Sequence, residues 1–433
     1  MRDEPPISLE NSDPHRTKIL FLAFTVLLLV NVVFFIVTES WLSVPRADDP
    51  YYQGYALHYP GTSIAPFGPN GSWGYVMWYK LLGVLGKETR FLTDANNISM
   101  SVGLSALVFA HVARGARSPW TPFAAGCLVV LSYLNMTNWP KVSHFAIILV
   151  LAGMLAVRGI KRPSLQFSCF ALTLLCVSFV RPELMIGACF SFVLALGSTW
   201  QERGQYPLAP SVFALAGTIA IALLVHFIVG LPMFDDMGRS GMALGQHFAV
   251  NWVEWTADPR SPWLEYKAIW SAAFGQADGI IAALRANPGL MQRHLGENAL
   301  RFVLLMPTLP FIPVNNAIPI VPVSLTSSWM TTAYVSGYVF VLAIIISLAR
   351  GSVRCALFQR EKISFVQWLC VLAAPAVSCV LIYPRYHYML WFMIALLIYG
   401  WTALDQRWGR RNYYWLWVAG FLAGTETMNI LIS

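Results

Sequence analysis

The stretch ILFLAFTVLLLVNVVFFIV (Ile19–Val37) carries no charged side chain and decides the fold class of this chain. A helix of about 20 apolar residues is long enough to cross the roughly 30 Å hydrocarbon layer of a bilayer. Basic residues precede the stretch, as they precede a secretory signal, but it is longer than the apolar core of a signal and lacks a small-residue cleavage site. We therefore expect a retained membrane helix.

The composition of the whole chain extends this expectation. Of the 433 residues, 57% are hydrophobic and 12% are charged, whereas about a quarter of a soluble domain is charged. The net charge of +8 does not indicate nucleic-acid binding, because the Lys and Arg residues fall in short clusters between apolar runs, as in polytopic membrane proteins. We expect one all-α transmembrane domain over residues 1–433 and no nucleic-acid partner.

Ten more apolar runs follow, so we expect about 11 transmembrane helices, within a range of about 10 to 13. A cytoplasmic N-terminus places more than half of the 29 Lys and Arg residues on the cytoplasmic side, which the positive-inside rule favours. Two long extracytoplasmic segments result, at about 39–95 and 232–328. The expected helices are 19–38, 96–113, 120–136, 142–158, 165–180, 184–200, 210–230, 329–349, 364–383, 387–404 and 413–432.

Each long segment contains an apolar part that is not a regular span. Trp73–Leu82 is aromatic but too short to cross the membrane, which predicts an amphipathic helix at the interface. Leu300–Val323 is long enough, but five prolines interrupt it, and an interior proline costs a helix about 3 kcal/mol. We expect re-entrant or cavity-lining backbone there, and whether this part crosses the membrane stays open.

Two adjacent carboxylates, Asp48 and Asp49, follow the first span in the stretch PRADDPYYQGYAL (Pro45–Leu57). A carboxylate that is partly desolvated by prolines and by rings such as Tyr51 and Tyr52 can act as general base for a hydroxyl. The structural alternative is a helix N-cap beside a solvated acid, because Asp before Pro also starts helices. We favour catalysis because acidic residues are scarce in this chain, 21 of 433, with a slight preference for Asp49.

Asp235 and Asp236 form a second acidic pair just after the seventh expected helix. Two such pairs on one face could hold a divalent cation through hard carboxylate oxygens, but a solvated turn explains the pair equally well. The seven cysteines lie in apolar runs or a basic loop and show no metal-ligand spacing. We therefore assign no metal site and no certain cofactor, and leave a divalent cation open.

Two extracytoplasmic turns carry basic residues at membrane depth. In the first, Arg181 and Glu183 either meet a polar substrate or simply pair with each other. In the second, Arg385 and His387 lie among tyrosines in YPRYHY (Tyr383–Tyr388). A guanidinium matches phosphate oxygens bidentately, so we expect an anionic head group there, although tyrosines are common at interfaces in any case.

This order of parts resembles the GT-C superfamily of polytopic glycosyltransferases, which includes protein O-mannosyltransferases and the bacterial aminoarabinose transferases of lipid A. The resemblance rests on the first helix, the loop that opens with Asp48-Asp49, the interfacial segments, six further helices and the second long loop. It implies a GT-C-like fold in a bacterial cytoplasmic membrane with an outward active site. The chain lacks the soluble domain and the Trp-Trp-Asp-Tyr-Gly string of the oligosaccharyltransferase branch, so reading of a peptide sequon is not expected.

The resemblance further implies inverting transfer of a hexose or pentose from a polyprenyl-phosphate donor to a hydroxyl of a glycan, lipid or protein. The catalytic first-loop acid of the family maps to Asp49 or Asp48, and the residue that contacts the donor phosphate maps to Arg385. The other expected site residues are His387, Arg181 and Arg46 for the phosphate, and Tyr51, Tyr52, Asp235, Asp236, Glu183 and Tyr386 for the rest of the substrate.

Two other functions remain as alternatives. A polymerase or ligase of lipid-linked polysaccharide would depend on extracytoplasmic arginines more than on an acid. A secondary transporter or flippase would show paired half-chain repeats and ionisable residues at mid-membrane. The acidic pairs of this chain instead fall in loops at one expected face.

Overall fold

The computed structural model describes residues 14–42, 49–58, 72–135, 141–207, 209–229, 239–277, 279–312 and 328–408. Across these residues the chain forms helices and no strand. The helices are α1 Pro14–Leu42, α2 Asp49–His58, α3 Trp73–Leu85, α4 Thr89–Gly115, α5 Thr121–Leu131, α6 Val142–Val157, α7 Pro163–Ser178, α8 Leu184–Glu202, α9 Ala209–Val229, α10 Arg239–Thr256, α11 Tyr266–Phe274, α12 Gly279–Ala286, α13 Pro288–Leu305, α14 Ser328–Leu348, α15 Gly351–Leu381 and α16 Tyr386–Trp408.

Ten of the expected apolar segments are helical, and the eleventh, 413–432, lies outside the described residues. Five helices are long and apolar enough to cross a membrane, namely α1, α4, α8, α15 and α16. Five shorter apolar helices accompany them, in α5, α6, α7, α9 and α14. The described residues therefore form an all-α bundle with the lengths and composition of an integral membrane protein.

The outer surface of the bundle is apolar. Phe21 and Ile36 on α1 are 73% and 70% exposed, and Phe213 on α9 is 76% exposed. An apolar surface of this extent would promote aggregation in water, whereas lipid chains can cover it at no cost. The exposure pattern therefore agrees with the composition in indicating a membrane environment.

Helix α16 is the most enclosed of the long apolar helices: 72% of the residues in its most apolar 18-residue stretch are buried. It packs against α4, α5, α6, α14 and α15. Its 23 residues span about 34 Å, so its two termini mark opposite ends of the bundle. We name these the Tyr383 end, at the connection between α15 and α16, and the Asp405 end, at the last turns of α16.

The first long segment supplies α2 and α3, and the helix expected at Trp73–Leu82 is confirmed as α3. Tyr75 and Tyr79 are buried on one face of α3, while Val84 is 81% exposed. The N–H of Gly74 donates to the carbonyl of Phe179 at 2.8 Å. A Cβ at residue 74 would lie 2.6 Å from a methyl group of Val180, so glycine permits this close approach of α3 to the turn between α7 and α8.

The second long segment forms a layer of its own, α10 to α13. Phe248 of α10 lies at its centre, with ring centres 5.5 Å from Trp270 and 4.7 Å from Phe274. The expectation that no straight helix covers Leu300–Val323 is confirmed as far as the described residues extend: α13 ends at Leu305 and a short 3-10 helix continues to Phe311. Residues 313–327 lie outside the described part of the chain.

Several helices are longer than expected, and polar residues extend the starts of α4 and α15 the furthest. Helix α4 begins at Thr89 rather than at residue 96, and α15 begins at Gly351 rather than at residue 364. Leu, Arg, Gln, Glu and Lys, which fill much of the first turns of α15, all have high helix propensity. The apolar length of a segment therefore predicts the part inside the membrane and misses the helical ends beyond it.

Candidate functional site at the Tyr383 end

Helix α13 holds the connection between α15 and α16 in place by binding the end of α15. The last carbonyls of a helix lack partners within it. The amide of Asn298 donates to the carbonyls of Val380 and Ile382, each at 3.1 Å. Nε2 of His294 lies 3.2 Å from the carbonyl of Leu381. These contacts fix the position at which Tyr383 and Arg385 leave the helix.

Helices α10 and α13 meet through two matching polar stripes. His247, Asn251 and Glu254 lie at i, i+4 and i+7 on α10, and His294, Asn298 and Arg301 repeat this spacing on α13, so each set occupies one helix face. The amide of Asn251 donates to Oδ1 of Asn298 at 3.0 Å and lies 2.9 Å from Nδ1 of His294. We call these six residues the polar stripes: His247, Asn251 and Glu254 form the stripe of α10, and His294, Asn298 and Arg301 form the stripe of α13.

Arg301 connects both stripes to the α15–α16 connection. Its guanidinium donates to Oδ1 of Asn251 at 2.9 Å, to Oε2 of Glu254 at 2.6 Å and to the hydroxyl of Tyr383 at 3.1 Å. Burial raises the pKa of Tyr383 above its ordinary value, and the nearby Arg301 opposes this shift. Tyr383 therefore stays a neutral phenol that accepts a charge-assisted hydrogen bond.

Arg385, Trp263 and His247 form the next part of the site. The guanidinium of Arg385 lies 5.5 Å from the centre of the Trp263 indole, within the range of a cation–π contact. The ring of His247 stands 5.6 Å from the same indole and 5.6 Å from Tyr383. An arginine presented beside three rings at a membrane boundary suits an anionic ligand that also carries a polar ring.

Both histidines of the stripes are buried in the neutral form. Burial lowers the pKa of His247 to about 3, with a further lowering from Arg385. Burial also lowers the pKa of His294 to about 4, and the charge of Arg301 acts in the same direction. Each imidazole therefore offers one N–H donor and one lone pair at neutral pH.

The turn between α7 and α8 lies close to the same connection. Nε of Arg181 donates to Oε1 of Glu183 at 2.7 Å, and Nη2 lies 2.5 Å from that oxygen. The pairing proposed as the structural alternative is thus confirmed. The guanidinium also lies 5.0 Å from the centre of the Tyr388 ring, so Arg181 contacts α16 directly.

The first-loop helix α2 is linked to this turn through α3. The ring of Tyr52 lies 5.0 Å from that of Tyr75 on α3, and the N–H of Gly74 on α3 donates to the carbonyl of Phe179 in the turn. The amide of Gln53 donates to the hydroxyl of Thr93 on α4 at 3.0 Å. Because α2 begins at Asp49, its first residue stands only about 4.5 Å along the helix axis before Tyr52.

Of the residues singled out from sequence, the structure brings Tyr52, Arg181 and Glu183 together with the Tyr383–Tyr388 connection. Tyr386 and His387 begin α16 in half-buried positions, and the His387 ring lies 4.3 Å from that of Tyr388. Asp49 and Tyr51 belong to α2, and for these two residues only the backbone is described. Asp48, Arg46, Asp235 and Asp236 lie outside the described residues.

Sequence reasoning missed His247, Asn251 and Arg301 as parts of this site. The partners of Asn251 and Arg301 are 43 to 82 residues away along the chain, and the ring partners of His247 are 16 and 136 residues away, so no local motif joins them. The signal that could have found them is the repeated i, i+4, i+7 spacing of polar side chains in two neighbouring segments of a tryptophan-rich loop.

Within the residues that the structure describes, no three His, Cys, Asp or Glu side chains are grouped to hold a metal ion. Both acidic pairs that suggested a divalent cation, Asp48-Asp49 and Asp235-Asp236, have side chains outside that description. A divalent cation at this end therefore stays a prediction.

Comparison with known proteins returned no match: no family model, curated protein or solved structure is significantly similar to this chain. The GT-C resemblance consequently rests on the order of segments and on the residues quoted above.

Proposed function

We propose that this protein is a membrane glycosyltransferase that moves a hexose or pentose from a polyprenyl-phosphate donor to an acceptor hydroxyl. The acceptor is a glycan, a lipid or a protein. The proposal includes about 11 transmembrane helices in a GT-C-like arrangement, a cytoplasmic N-terminus, and a bacterial cytoplasmic membrane with the active site on the outer face. In this orientation the Tyr383 end is the extracytoplasmic end.

One observation carries the proposal: the Tyr383 end gathers four segments that are far apart in sequence. The Tyr52 ring of the first-loop helix lies on Tyr75 of α3, and α3 is bonded to the turn that carries Arg181 through Gly74 and Phe179. Arg181 lies over the ring of Tyr388, and Arg385 lies over Trp263 of the second long segment. A reaction between a lipid-linked sugar and a polar acceptor needs a cation for the phosphate, a base for the hydroxyl and aromatic surface for the sugar. The first and third are present here, and Asp49 is the first residue of the helix that carries Tyr52.

The chemistry assigns each bond to a group at this end. Asp49 or Asp48 accepts the proton of the acceptor hydroxyl as its oxygen bonds to the anomeric carbon of the donor. The bond between that carbon and the phosphate oxygen breaks on the opposite side, so the configuration inverts and the lipid phosphate leaves with the electron pair. Fixed positive charge on Arg385 stabilises the leaving phosphate, with Arg181, His387 and Arg46 as further cationic or polar contacts.

The decisive experiment uses Asp48→Asn, Asp49→Asn and the double variant in proteoliposomes loaded with a radiolabelled undecaprenyl-phosphate hexose. We expect at least one single variant and the double variant to lose about 10²-fold or more in transfer rate, because general-base contributions are of that order. Glu88→Gln is the matched control, since Glu88 is an exposed acid of the same first long segment and its side chain makes no cap hydrogen bond to α4. Full transfer by the double variant would overturn the proposal.

The same assay separates the alternatives. A polysaccharide polymerase or ligase predicts that Arg385→Gln abolishes activity while both aspartate variants remain active. A transporter or flippase predicts movement of the intact lipid across the membrane without release of polyprenyl phosphate, so thin-layer analysis of the lipid product distinguishes it from a transferase.

A further inference from the structure

His247 has a buried nitrogen that the fold does not use. Its Nδ1 donates to the carbonyl of Ala243 at 2.6 Å, because a carbonyl can only accept. In the neutral ring Nε2 then carries the lone pair. The side chain is 3% exposed, and among the described residues Nε2 has no hydrogen-bond partner. A buried acceptor without a partner costs about 1 to 3 kcal/mol, so its retention calls for an explanation.

The surroundings of this nitrogen indicate what it binds. His247 and Arg385 lie on the same indole, at 5.6 Å and 5.5 Å from the ring of Trp263. The indole offers a flat apolar face, the guanidinium offers donors to an anion, and Nε2 offers an acceptor to an O–H group. A ligand that satisfies all three has a hydroxylated ring joined closely to an anionic group.

We propose that Nε2 of His247 accepts a hydrogen bond from a ring hydroxyl of a phosphate-linked sugar whose ring lies against Trp263. This inference rests on the proposed glycosyltransferase function and deepens it by naming a residue that recognises the sugar of the donor. Arg385 reads the phosphate, which every polyprenyl phosphate carries. His247 distinguishes the lipid that carries a sugar from the lipid that has lost it.

His247 is a binding residue rather than the base of the reaction. A general base works best when its pKa lies near the working pH, and burial and Arg385 keep the pKa of His247 at about 3. A neutral imidazole with a fixed Nδ1–H bond instead presents one acceptor in one direction. This arrangement suits discrimination, since a site built to hydrogen-bond a hydroxyl rejects ligands that lack it.

The test measures binding of two probes, undecaprenyl phosphate and undecaprenyl-phosphate hexose, to the detergent-solubilised full chain by native mass spectrometry. We expect the wild type to bind the sugar lipid about three- to tenfold more tightly, as one net hydrogen bond allows. His247→Phe keeps a ring but lacks the acceptor, so its preference for the sugar lipid should fall to the part that contact with Trp263 alone provides. His247→Gln places an oxygen near the position of Nε2 and should restore most of the preference.

The outcomes separate the two proposals. Equal binding of the sugar-free lipid by wild type and His247→Phe serves as the folding control. If wild type and His247→Phe both prefer the sugar lipid to the same degree, or if wild type shows no preference, the role of His247 is overturned while the proposed function stands. If wild type binds neither lipid, both proposals fail.

Discussion

The two ends of helix α16 use charged residues in opposite ways. At the Asp405 end, Asp405 is fully buried and accepts hydrogen bonds from the Thr121 hydroxyl at 2.6 Å and from the backbone N–H groups of Arg117 and Ser118. At the Tyr383 end, arginines lie on aromatic rings, as Arg385 does on Trp263. The first arrangement satisfies a charge with the protein's own backbone, and the second presents a charge beside surfaces that can also receive a ligand.

A second carboxylate away from the Tyr383 end repeats the first arrangement. Glu202, at the end of α8, is 8% exposed, and its oxygens accept from the backbone N–H of Ser164 at 2.9 Å and from the Ser164 hydroxyl at 2.6 Å. Ser164 lies in the first turn of α7, so the carboxylate complements the positive end of that helix. The comparison teaches that burial of a charge alone does not mark a functional site: what matters is whether the fold already meets its hydrogen-bonding capacity.

The largest effect that would test this comparison comes from matched arginines at the two ends of α16. Arg385 and Arg407 each lie on an indole, at 5.5 Å from Trp263 and 4.6 Å from Trp408. We expect Arg385→Gln to lower kcat/KM for transfer from undecaprenyl-phosphate hexose by about 10²- to 10³-fold, as removal of a group that stabilises a leaving oxyanion does. Arg407→Gln should remain within about twofold, because Arg407 donates to the carbonyl of Ile346 and lies at the end of α16 opposite the proposed site.

Initial rates in proteoliposomes, normalised to correctly inserted protein, provide the measurement. Similar losses in both variants would mean that the cation–π arrangement serves packing at both ends. The proposed difference between the two ends of α16 would then be wrong.

The second prediction concerns stability, and its effect is smaller. Here the substitution at the Asp405 end should have the larger effect, and the substitution at the Tyr383 end the smaller one. Asp405→Ala leaves a buried hydroxyl and two backbone N–H groups without their acceptor, so we expect a loss of about 3 kcal/mol in the free energy of unfolding. The side chain of Glu254, bound to Arg301, is 33% exposed, and Glu254→Ala should cost about 1 kcal/mol or less.

Unfolding by SDS in mixed micelles measures both variants. If Glu254→Ala proved as costly as Asp405→Ala, the ion pairs of the Tyr383 end would be as essential to folding as the buried carboxylate, and that end would not be distinguished by spare binding capacity.

Most of the helical bundle could be predicted from sequence because its cause is local. A run such as Ile19–Val37 must satisfy its backbone internally in lipid, and only a helix does so within one segment. The polar first turns of α4 were missed for the opposite reason. They are helical because tertiary contacts hold them, for example the bond from the Gln53 amide to the Thr93 hydroxyl at 3.0 Å.

The candidate site could be predicted only in part. Arg385 and Arg181 stood out because a charge between apolar helices is expensive unless it is used. His247 gave no such signal, because a neutral histidine on a helix is common and its ring neighbours Trp263 and Tyr383 lie 16 and 136 residues further along the chain. Such a contact depends on the packing of α10 against the end of α15, which no single segment encodes.

The last prediction concerns the acid sensitivity of the Tyr383 end. The pKa values of His247 and His294 lie at about 3 and about 4 in the folded chain, below about 6.5 in the unfolded chain. As pH falls, the unfolded state binds these protons first. Stability is therefore full above pH ~6.5 and is lost as pH falls towards ~4, by up to about 2 kcal/mol per histidine at pH ~5.

Hydrogen exchange of α10 and α13 at pH 7 and pH 5, corrected for intrinsic rates, measures this loss, with the Asp405 end of α16 and α5 as internal references. We expect protection of α10 and α13 to fall by up to about 30-fold per histidine relative to the references, which is the fold-change that corresponds to about 2 kcal/mol. The carboxylates Asp258 and Glu297 of the same layer have lowered pKa values, so their stabilisation is lost only at still lower pH. His247→Gln should reduce the pH dependence of protection by about half. An unchanged pH dependence would show that another group controls the protection of this layer. The two ends would then differ in ligand contacts but not in their response to acid.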